Sequence, residues 1–581
     1  MQKTGFLSNS RTRQLLAGAL AAALAVCSVP AVLAEEPADR ILHGGRVYTL
    51  NSLAPWAEAV AIRGDEIVYV GDDAGAERFA GADTQRTDLR GRLALPGFID
   101  GHMHVGATLP YVFAAGLSPD MSAEQLLAAI REHAQAYPDQ DPLIGTGFLG
   151  AAFGLQGPTA EDLDRAVPER RAIIYDEGFH SAWVNSAAMQ QVGLDADSQD
   201  PIPGAHYYKR YADGRPTGWL IESESFGWIS EKLGVVSMAS LEAGAQAFFG
   251  ELTARGITAA FDAGMIEGDG KLFDFFERMV AEDRVPLRMV GSHYVNSPRQ
   301  LPTALEDLAA LNKRFDGEFF DLRVLKLSLD GTVEAQTAYT LEPYRVPAGH
   351  RANPLIPIGP TGEVVAAASA RDIDIHMHAI GDAAVRMALD MVEQARRQHP
   401  KTDSRFTICH AQVVNPQDIA RFGELDVIVQ STPTWYAYDE LALNYLGAER
   451  LEHFYPLRSI AAGGARVTLG SDFPASWIGL DGLDPLYNIE MAMTRQPAGD
   501  ADYAPQPPLD ERISVEQAIR AYTLDAAYQL RLEDEIGSIE PGKQADLVVL
   551  DQNILELDPY AIHDASVVMT MIDGRIVFES P

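Results

Sequence analysis

Between residues 95 and 470 the sequence alternates short apolar segments with longer segments of helical periodicity. Buried parallel strands appear in sequence as nearly continuous apolar runs, so this alternation indicates a parallel sheet covered by helices. A clear amphipathic helix is predicted over Ala383–Arg397. The eight predicted strands are Leu95–Asp100, Ile257–Asp262, Leu287–His293, Leu322–Leu327, Ile373–His378, Phe406–His410, Val427–Gln430 and Ala465–Leu469. Eight such strands predict an α/β fold, a TIM-type (β/α)8 barrel over residues 96–535, with its active site at the carboxyl ends of the strands.

A long insertion and two β-rich ends accompany the predicted barrel. The insertion follows the first strand, from Gly106 to about Leu241, and is too long to be a simple loop, so we expect a lid or wall over the site. Residues 35–95 and 536–581 both read as short strands joined by tight turns. Gly64-Asp65 and Asp573-Gly574 are hairpin signals. One small β-sandwich assembled from both ends of the chain is therefore predicted.

The first 34 residues have the pattern of a cleavable signal peptide. A basic segment containing Lys3, Arg11 and Arg13 precedes an apolar run that is too short to span a bilayer comfortably. Small residues then lead to Ala34, after which cleavage is expected, with a retained membrane anchor as the alternative. The interpretation predicts a periplasmic or secreted protein that has no membrane contact after cleavage.

Cysteine content limits the possible disulfides, and the net charge limits the possible binding partners. Cys27 would leave with the signal peptide, so Cys409 has no partner for a disulfide. The net charge of −36 repels phosphate backbones, which argues against nucleic acid as a partner. We expect a small-molecule substrate instead.

Histidines and one aspartate stand at the ends of several predicted strands. His102 and His104 are two residues apart on the first strand, so both face the barrel mouth. His378 ends the fifth strand, His410 the sixth, and Asp472 follows the eighth. Nitrogen and oxygen ligands in this combination suit zinc or a similar divalent ion. The pattern therefore predicts a metal site holding one or two ions.

The order of these motifs resembles the amidohydrolase superfamily over essentially the whole chain after the signal peptide. Within it, the sequence is most similar to amidohydrolase family 3, which includes N-substituted formamide deformylase. The supporting segments are Asp162-Leu163-Asp164 with Val167-Pro168, His180 with Trp183-Val184-Asn185-Ser186-Ala187-Ala188, His378-Ala379-Ile380-Gly381-Asp382, His410-Ala411-Gln412, and Ile536 to Leu550. Relatives are commonly dimers, so the resemblance leaves a homodimer open.

The resemblance assigns further residues to the site. It implies Lys326 as a ligand on the fourth strand, carboxylated so that it bridges two metals, because an ammonium group has no lone pair to give. The alternative is an ion pair, for example with Asp330. It also favours His378 over His376 as the metal ligand on the fifth strand. We expect His376 to lie in the core or to contact one of the metal-ligating residues. His180 and His293 are candidates for catalysis or substrate contact, with a packed histidine as the alternative for each.

The resemblance, together with the ligand set, implies hydrolysis of a carbon–nitrogen bond in a non-peptide amide or formamide. A divalent metal lowers the pKa of bound water from about 16 towards 7. Asp472 can ligate the metal, accept the proton of the water and return it to the leaving nitrogen. Cyclic amides, carbamates, esters or heterocycle deamination remain alternatives, since one barrel hosts many reactions. An exported binding or regulatory protein without catalysis is the alternative of another class.

Aromatic residues gather where the sequence predicts the mouth of the barrel. They suggest an apolar acyl or aryl pocket, with Trp435 and Trp477 as substrate contacts. Scattered aromatic side chains are more often part of the core, so this interpretation depends on where they lie. The set comprises Phe148, Phe153, Trp435, Tyr436, Tyr438, Phe473 and Trp477.

Overall fold

A nearly closed barrel of eight parallel strands forms the centre of the computed structural model, which describes residues 36–264, 270–437, 439–476 and 478–580. Each strand pairs with the next along the chain. The first and last strands approach through their carboxyl ends, where the Asp472 amide donates to the His102 carbonyl over 2.7 Å. The predicted signal peptide lies outside the described residues. The strands are β1 (Phe98–Met103), β2 (Ile257–Asp262), β3 (Arg288–Val295), β4 (Phe320–Ser328), β5 (Ile375–Ala379), β6 (Phe406–His410), β7 (Val427–Ser431) and β8 (Val467–Leu469).

The predicted strand Leu95–Asp100 was wrong, because it joined parts of two strands. Leu93–Pro96 belongs to a small sheet outside the barrel, and β1 begins only at Phe98. Gly97 separates them at a point where the chain crosses β2 closely. A Cβ atom at this position would come within 2.2 Å of the Thr258 hydroxyl oxygen, so only glycine permits the approach.

Helices follow the barrel strands, as the alternating pattern predicts. Asp382–Gln398 covers the predicted helix over residues 383–397, and it buries Val385, Leu389 and Val392 at helical spacing. Among the described residues, no helix is both long and apolar enough to cross a membrane. The principal helices from residue 238 onward are Met238–Ala254, Lys271–Ala281, Ala304–Arg314, Ile358–Ser369, Asp382–Gln398, Ile419–Glu424, Glu440–Leu446, Ala448–Leu451, Leu457–Ala462, Pro485–Thr494, Val515–Ala521 and Leu524–Gln529.

Two small sheets are built from the ends of the described chain. Side chains of both sheets, such as Val60 and Leu547, share one apolar cluster. Gly64 and Gly574 have left-handed φ angles of 62° and 70° at the two predicted hairpin turns. One sheet contains Glu66–Gly71, Ala59–Arg63, Arg40–His43 and Gln85–Asp88 in spatial order. The other contains Arg575–Glu579, Val567–Ile572, Leu547–Leu550, Leu93–Pro96, Arg46–Tyr48 and Trp56–Ala57.

The insertion after β1 folds around a six-stranded mixed sheet of its own. It has separate apolar clusters on the two faces of this sheet, so it is a built layer rather than a loop. It ends before Met238, where the first barrel helix begins. Its strands, in spatial order, are Tyr207–Arg210, Pro216–Ile221, Ser181–Val184, Ala172–Asp176, Leu143–Phe148 and Ala115–Gly116. Its α-helices are Val105–Thr108, Ala123–Ala136, Ala160–Asp164, Ser186–Val192 and Ser223–Leu233.

Arg288, at the start of β3, joins the barrel to the second small sheet. Its buried guanidinium contacts the Asp546 carboxylate at 3.3 Å and also pairs with Asp573. Burial raises the pKa of Asp546 to about 6 in spite of this arginine. Without the arginine, that carboxylate would remain buried and unpaired.

We therefore expect Arg288→Leu to lower the free energy of unfolding by about 3–5 kcal/mol. Urea unfolding followed by tryptophan fluorescence measures the change. The double variant Arg288→Leu/Asp546→Asn is the control, and it should recover part of the loss because the uncompensated charge is removed. A single variant as stable as the parent protein would contradict this account of the junction.

Candidate metal centre

Three predicted histidine ligands contact the Asp472 carboxylate at the carboxyl ends of the barrel strands. Oδ1 of Asp472 lies 3.2 Å from Nε2 of His102 and 3.3 Å from Nε2 of His104. Oδ2 lies 3.7 Å from Nδ1 of His410. The His378 ring centroid is 4.5 Å from that of His410. The structure thus brings together the five side chains that the strand-end pattern selects.

Buried carboxylates hold the backbone of these ligands. Asp100 accepts hydrogen bonds from the amides of His102 at 3.0 Å and Ser471 at 3.1 Å, and so ties β1 to the segment that carries Asp472. Asp330 accepts from the amides of Ile380 and Gly381, directly after His378. Burial raises the pKa of both aspartates to about 7, although these bonds oppose the rise.

Two ligands have left-handed backbone conformations. The φ angle is 70° at His410 and 52° at Asp472, whereas most non-glycine residues avoid this region. Such conformations cost about 1–3 kcal/mol each and persist where the surroundings over-determine them. Here they turn the chain immediately after β6 and β8, so that both side chains face the barrel mouth.

The electrostatics favour neutral imidazoles around a charged carboxylate. Burial, followed by neighbouring positive charges, lowers the pKa values of His102, His378 and His410 well below normal. Burial raises the pKa of Asp472, but His410 and His104 outweigh it and the net shift is downward. Neutral imidazoles and a carboxylate are the protonation states that metal ligation requires.

The unpaired atoms of this cluster fit a divalent cation. Nε2 of His102 and Nδ1 of His410 are buried, and among the described residues neither has a partner with hydrogen-bond geometry. Together with the Asp472 carboxylate they form a group whose ligand atoms all lie within 4.8 Å of one another. Leaving buried polar atoms unpaired is costly, and a metal ion would satisfy all three at once.

Lys326 lies below this cluster, on β4. It is 1% exposed, and its ammonium nitrogen contacts Sγ of Cys409 at 3.0 Å. Among the described residues no salt bridge joins Lys326 to a carboxylate, and Asp330 is engaged by backbone amides instead. Burial raises the pKa of Cys409 to about 12, so the contact is to a neutral thiol. Lys326 also lines the cavity beside the ligands.

His376 lies behind the first ligand. Its Nε2 is 2.9 Å from Nδ1 of His102, so one ring donates to the other and orients it. Burial lowers the pKa of His376 well below normal. Metal-binding histidines commonly have such a partner on their second nitrogen. This position agrees with the expectation that His376 contacts a ligand.

The insertion contributes His180 and a carboxylate that the sequence did not reveal. Nδ1 of His180 is 2.8 Å from Oε2 of Glu222, and the Thr337 hydroxyl donates to Oε1 of Glu222 over 2.6 Å. The His180 ring lies 5.3 Å from that of His378. Burial lowers the pKa of His180, but Glu222 outweighs it and the pKa rises to about 9. A charged imidazolium therefore faces the cluster of candidate metal ligands.

A cavity of about 60 Å³, here called the metal cavity, lies between the candidate metal ligands and the insertion. The Trp435 ring stacks on His410 at a centroid distance of 5.1 Å and an interplanar angle of 14°. The structure does not bring His293 to this cavity, since it lines an adjoining cleft against helix Ala304–Arg314. The cavity is lined by His104, Ala107, Gly178, Phe179, His180, Glu222, Ser223, Tyr294, Asn296, Lys326, Leu355, His378, His410, Trp435, Asp472, Pro474 and Ala475.

Most of the other aromatic residues that the sequence suggested as a pocket pack elsewhere. Phe148 and Phe153 contact Trp183 inside the insertion. Tyr436 packs against a second tyrosine, and Phe473 stacks on a barrel helix. Trp477 and Tyr438 lie outside the described residues.

Comparison with known proteins gives consistent matches along the chain. The model of a family described as amidohydrolases matches residues 85–578. The exoenzymes regulatory protein AepA of Pectobacterium carotovorum is 28% identical over 74% of this chain and 93% of its own. The N-substituted formamide deformylase of Arthrobacter pascens is 25% identical over 93% of this chain and 98% of its own. A metal-dependent hydrolase structure from Pyrococcus furiosus superposes with a TM-score of 0.64 and 24% identity, covering 90% of this chain and 99% of that one.

Proposed function

Because this chain belongs to the amidohydrolase family, and is a hydrolase of its metal-dependent type, we propose that it cleaves the carbon–nitrogen bond of a non-peptide amide or formamide. The observation that carries the proposal is the convergence of His102, His410 and Asp472, with two ring nitrogens that have no hydrogen-bond partner in the described part of the chain. The formamide deformylase among its relatives supports the choice of bond.

His102, His104, His378, His410 and Asp472 would hold the ion, and their nitrogen and oxygen atoms suit zinc. A divalent metal supplies the Lewis acidity that makes hydroxide available near neutral pH. Because its carboxylate is ionised and faces the cavity, Asp472 is positioned to accept a proton from water and to return it to the leaving nitrogen.

His180 and Glu222 are placed to act on the substrate carbonyl. The imidazolium of His180 can donate a hydrogen bond from Nε2, while Glu222 holds Nδ1. A charged donor aimed at a carbonyl oxygen stabilises the negative charge that develops there during attack. Trp435 offers an apolar wall for the acyl or amine group. Unchanged Michaelis constants for bulky amides in Trp435→Ala would remove that role.

The test is amine release from a panel of N-formyl, N-acetyl and N-aryl-acyl amines, both neutral and cationic, by zinc-loaded protein. Release from any member supports the proposal. A panel without release from metal-loaded protein would contradict amide hydrolysis and direct the search to cyclic amides, carbamates, esters or deamination. Protein that folds but binds no metal would favour a non-catalytic role instead, a role suggested by the name of the exoenzymes regulatory relative.

We propose that Lys326 is carboxylated when metal is bound. The lysine is buried and lacks a carboxylate partner among the described residues, so conversion to a carbamate would replace an uncompensated cation with two oxygen ligands. Metal uptake that requires bicarbonate, with an intact-mass increase of one carbon dioxide, is expected. Equal metal uptake in carbon dioxide-free buffer would contradict the modification.

We also propose that the chain is exported and cleaved after Ala34, which rests on the sequence pattern of the first 34 residues. N-terminal sequencing of the protein from its native host should begin at Glu35. An uncleaved N-terminus in a membrane fraction would instead identify a retained anchor.

We expect Glu222→Gln to lower kcat/KM by about 10–100-fold, as loss of a partner that orients a catalytic group usually does. Without the carboxylate the pKa of His180 falls from its raised value, so activity should be lost at a lower pH than in the parent protein. A pH–rate profile measures both effects. Glu231→Gln, an exposed change on the helix that follows Glu222, is the matched control. An unaltered profile would contradict the role of Glu222.

A further inference from the structure

A second cavity of about 490 Å³ lies against the metal cavity, and we call it the acidic chamber. Gly178, Trp435 and Ala475 line both cavities, so the partition between them is a single layer of residues. Trp435 forms part of this partition, with its indole nitrogen donating to the Ala475 carbonyl over 2.9 Å. A substrate attacked at the metal centre could therefore extend a group into the chamber.

The ionisable side chains described in the walls of the acidic chamber are all acidic. The described residues that line it include seven carboxylates and no lysine, arginine or histidine. Among the described residues, none of the seven forms a salt bridge with lysine or arginine. Walls of one sign concentrate counter-ions in a cleft. The seven are Asp120, Asp176, Glu177, Glu334, Asp439, Glu440 and Asp500.

An unpaired hydroxyl provides a second and independent sign of a ligand. Tyr455 lines the acidic chamber, is 1% exposed, and its hydroxyl has no hydrogen-bond partner among the described residues. Burial and then the carboxylates of Glu334 and Asp439 raise its pKa well above normal, so the hydroxyl lies in the field of those groups. Buried hydroxyls are normally satisfied, and a bound molecule would supply the partner.

Three of these acidic groups lack a compensating positive charge among the described residues. Burial, followed by neighbouring carboxylates, raises the pKa of Glu177 well above normal and that of Glu334 to about 8. Burial also raises the pKa of Asp439. A cation between these groups would favour their ionised forms.

The size and aromatic content of the chamber favour an organic cation over a metal ion. Its volume far exceeds that of a single ion, and among the described residues no three of its carboxylates bring ligand atoms within 4.8 Å of one another. Trp219, Trp435, Tyr455 and Tyr503 also line it. Aromatic faces attract ammonium and guanidinium groups, most strongly when the cation is desolvated.

We propose that the acidic chamber binds an ammonium or guanidinium group and that the substrate of the neighbouring metal centre carries this group. The second half of the statement rests on the proposed hydrolase function, whereas cation binding itself does not. The substrate class is thus a cationic amide, with its charge several atoms from the scissile bond.

The test compares two soluble probes of the same shape, choline and its neutral isostere 3,3-dimethylbutan-1-ol. Isothermal titration calorimetry on the full-length, zinc-loaded protein should show choline binding at least about tenfold more tightly. Glu334→Gln and Glu177→Gln should each weaken choline binding severalfold. The exposed change Glu449→Gln is the matched control and should leave it unaltered. Thermal unfolding verifies that each variant is folded.

Equal binding of the two probes, or choline affinity unaffected by both glutamine variants, would overturn the proposal. Stoichiometric Ca²⁺ binding that is lost in Glu334→Gln, without choline binding, would identify an inorganic cation site and also overturn it. Calorimetry requires no turnover, so the two proposals can fail separately. Choline binding without amide hydrolysis would contradict only the hydrolase function, and hydrolysis without choline binding would contradict only the cation site.

Discussion

Asp472→Asn will lower kcat/KM by about 10³-fold or more, because the asparagine amide can neither accept the proton of the attacking water nor return it. The side chain contacts three histidines and lies at the barrel mouth, so the substitution also removes a charged ligand from the group. Steady-state kinetics on the amide identified by the panel measures the loss.

Metal analysis separates the two consequences of this change. If Asp472→Asn still binds metal but loses activity, the loss belongs to proton transfer; if metal is lost as well, ligation contributes. Asp481→Asn, an exposed aspartate on the segment after β8, is the matched control and should keep both properties. Activity within about tenfold of the parent protein would contradict a proton-transfer role for Asp472.

Removal of the metal by a chelator should abolish hydrolysis, with a loss of at least about 10³-fold, because the ion would supply the Lewis acidity that lowers the pKa of bound water. Restoring zinc should restore the rate. The apo protein should also unfold at lower temperature, since a ligand present at 1,000 times its Kd contributes about 4 kcal/mol. Activity assays and thermal unfolding before and after chelation measure these effects.

His102→Ala should reproduce the chelated state, because its unpaired Nε2 belongs to the cluster and His376 loses the ring that it orients. His399→Ala, at the end of the helix Asp382–Gln398, is the matched control and should retain metal. Full activity in chelated protein, or normal metal content in His102→Ala, would contradict the assignment of the metal centre.

The barrel could be predicted because its strands are buried on both faces and therefore appear as apolar runs. Phe406–His410 was predicted with the bounds that the structure gives, since polar residues precede it and its five side chains are all buried. The prediction of one strand over Leu95–Asp100 was wrong because it, too, relied on an apolar run. The run through Leu93 to Ile99 is apolar on both sides of Gly97, and composition does not reveal that its halves belong to different sheets.

The metal centre could be predicted from strand ends, whereas the contribution of the insertion could not. His102 and His104 follow from alternation along one strand, and the barrel brings distant strand ends together without further information. No comparable sequence pattern predicts the position of Glu222. It meets His180 because two antiparallel strands of the insertion end side by side, and pairing between short strands of an insertion leaves no periodic signal.

His293 shows that position along a strand is not enough to predict a site residue. It lies near the end of β3, as the ligands do on their strands, but lines the cleft outside the metal cavity. The sequence predicts that a residue is near the barrel mouth, but the direction of its side chain depends on local register. A shift of one residue turns a strand side chain to the opposite face.

Strands from distant parts of the chain pair in one sheet, and this has a consequence for synthesis on the ribosome. Leu93–Pro96 pairs with Leu547–Leu550, a strand translated near the very end of the chain. At about 5–20 residues per second, the early strand waits on the order of tens of seconds for its neighbour. During that time an apolar strand edge is open to pairing with other nascent chains. Truncation after the barrel would leave this edge permanently open, so we expect stop codons before residue 547 to yield aggregated protein even with every metal ligand present.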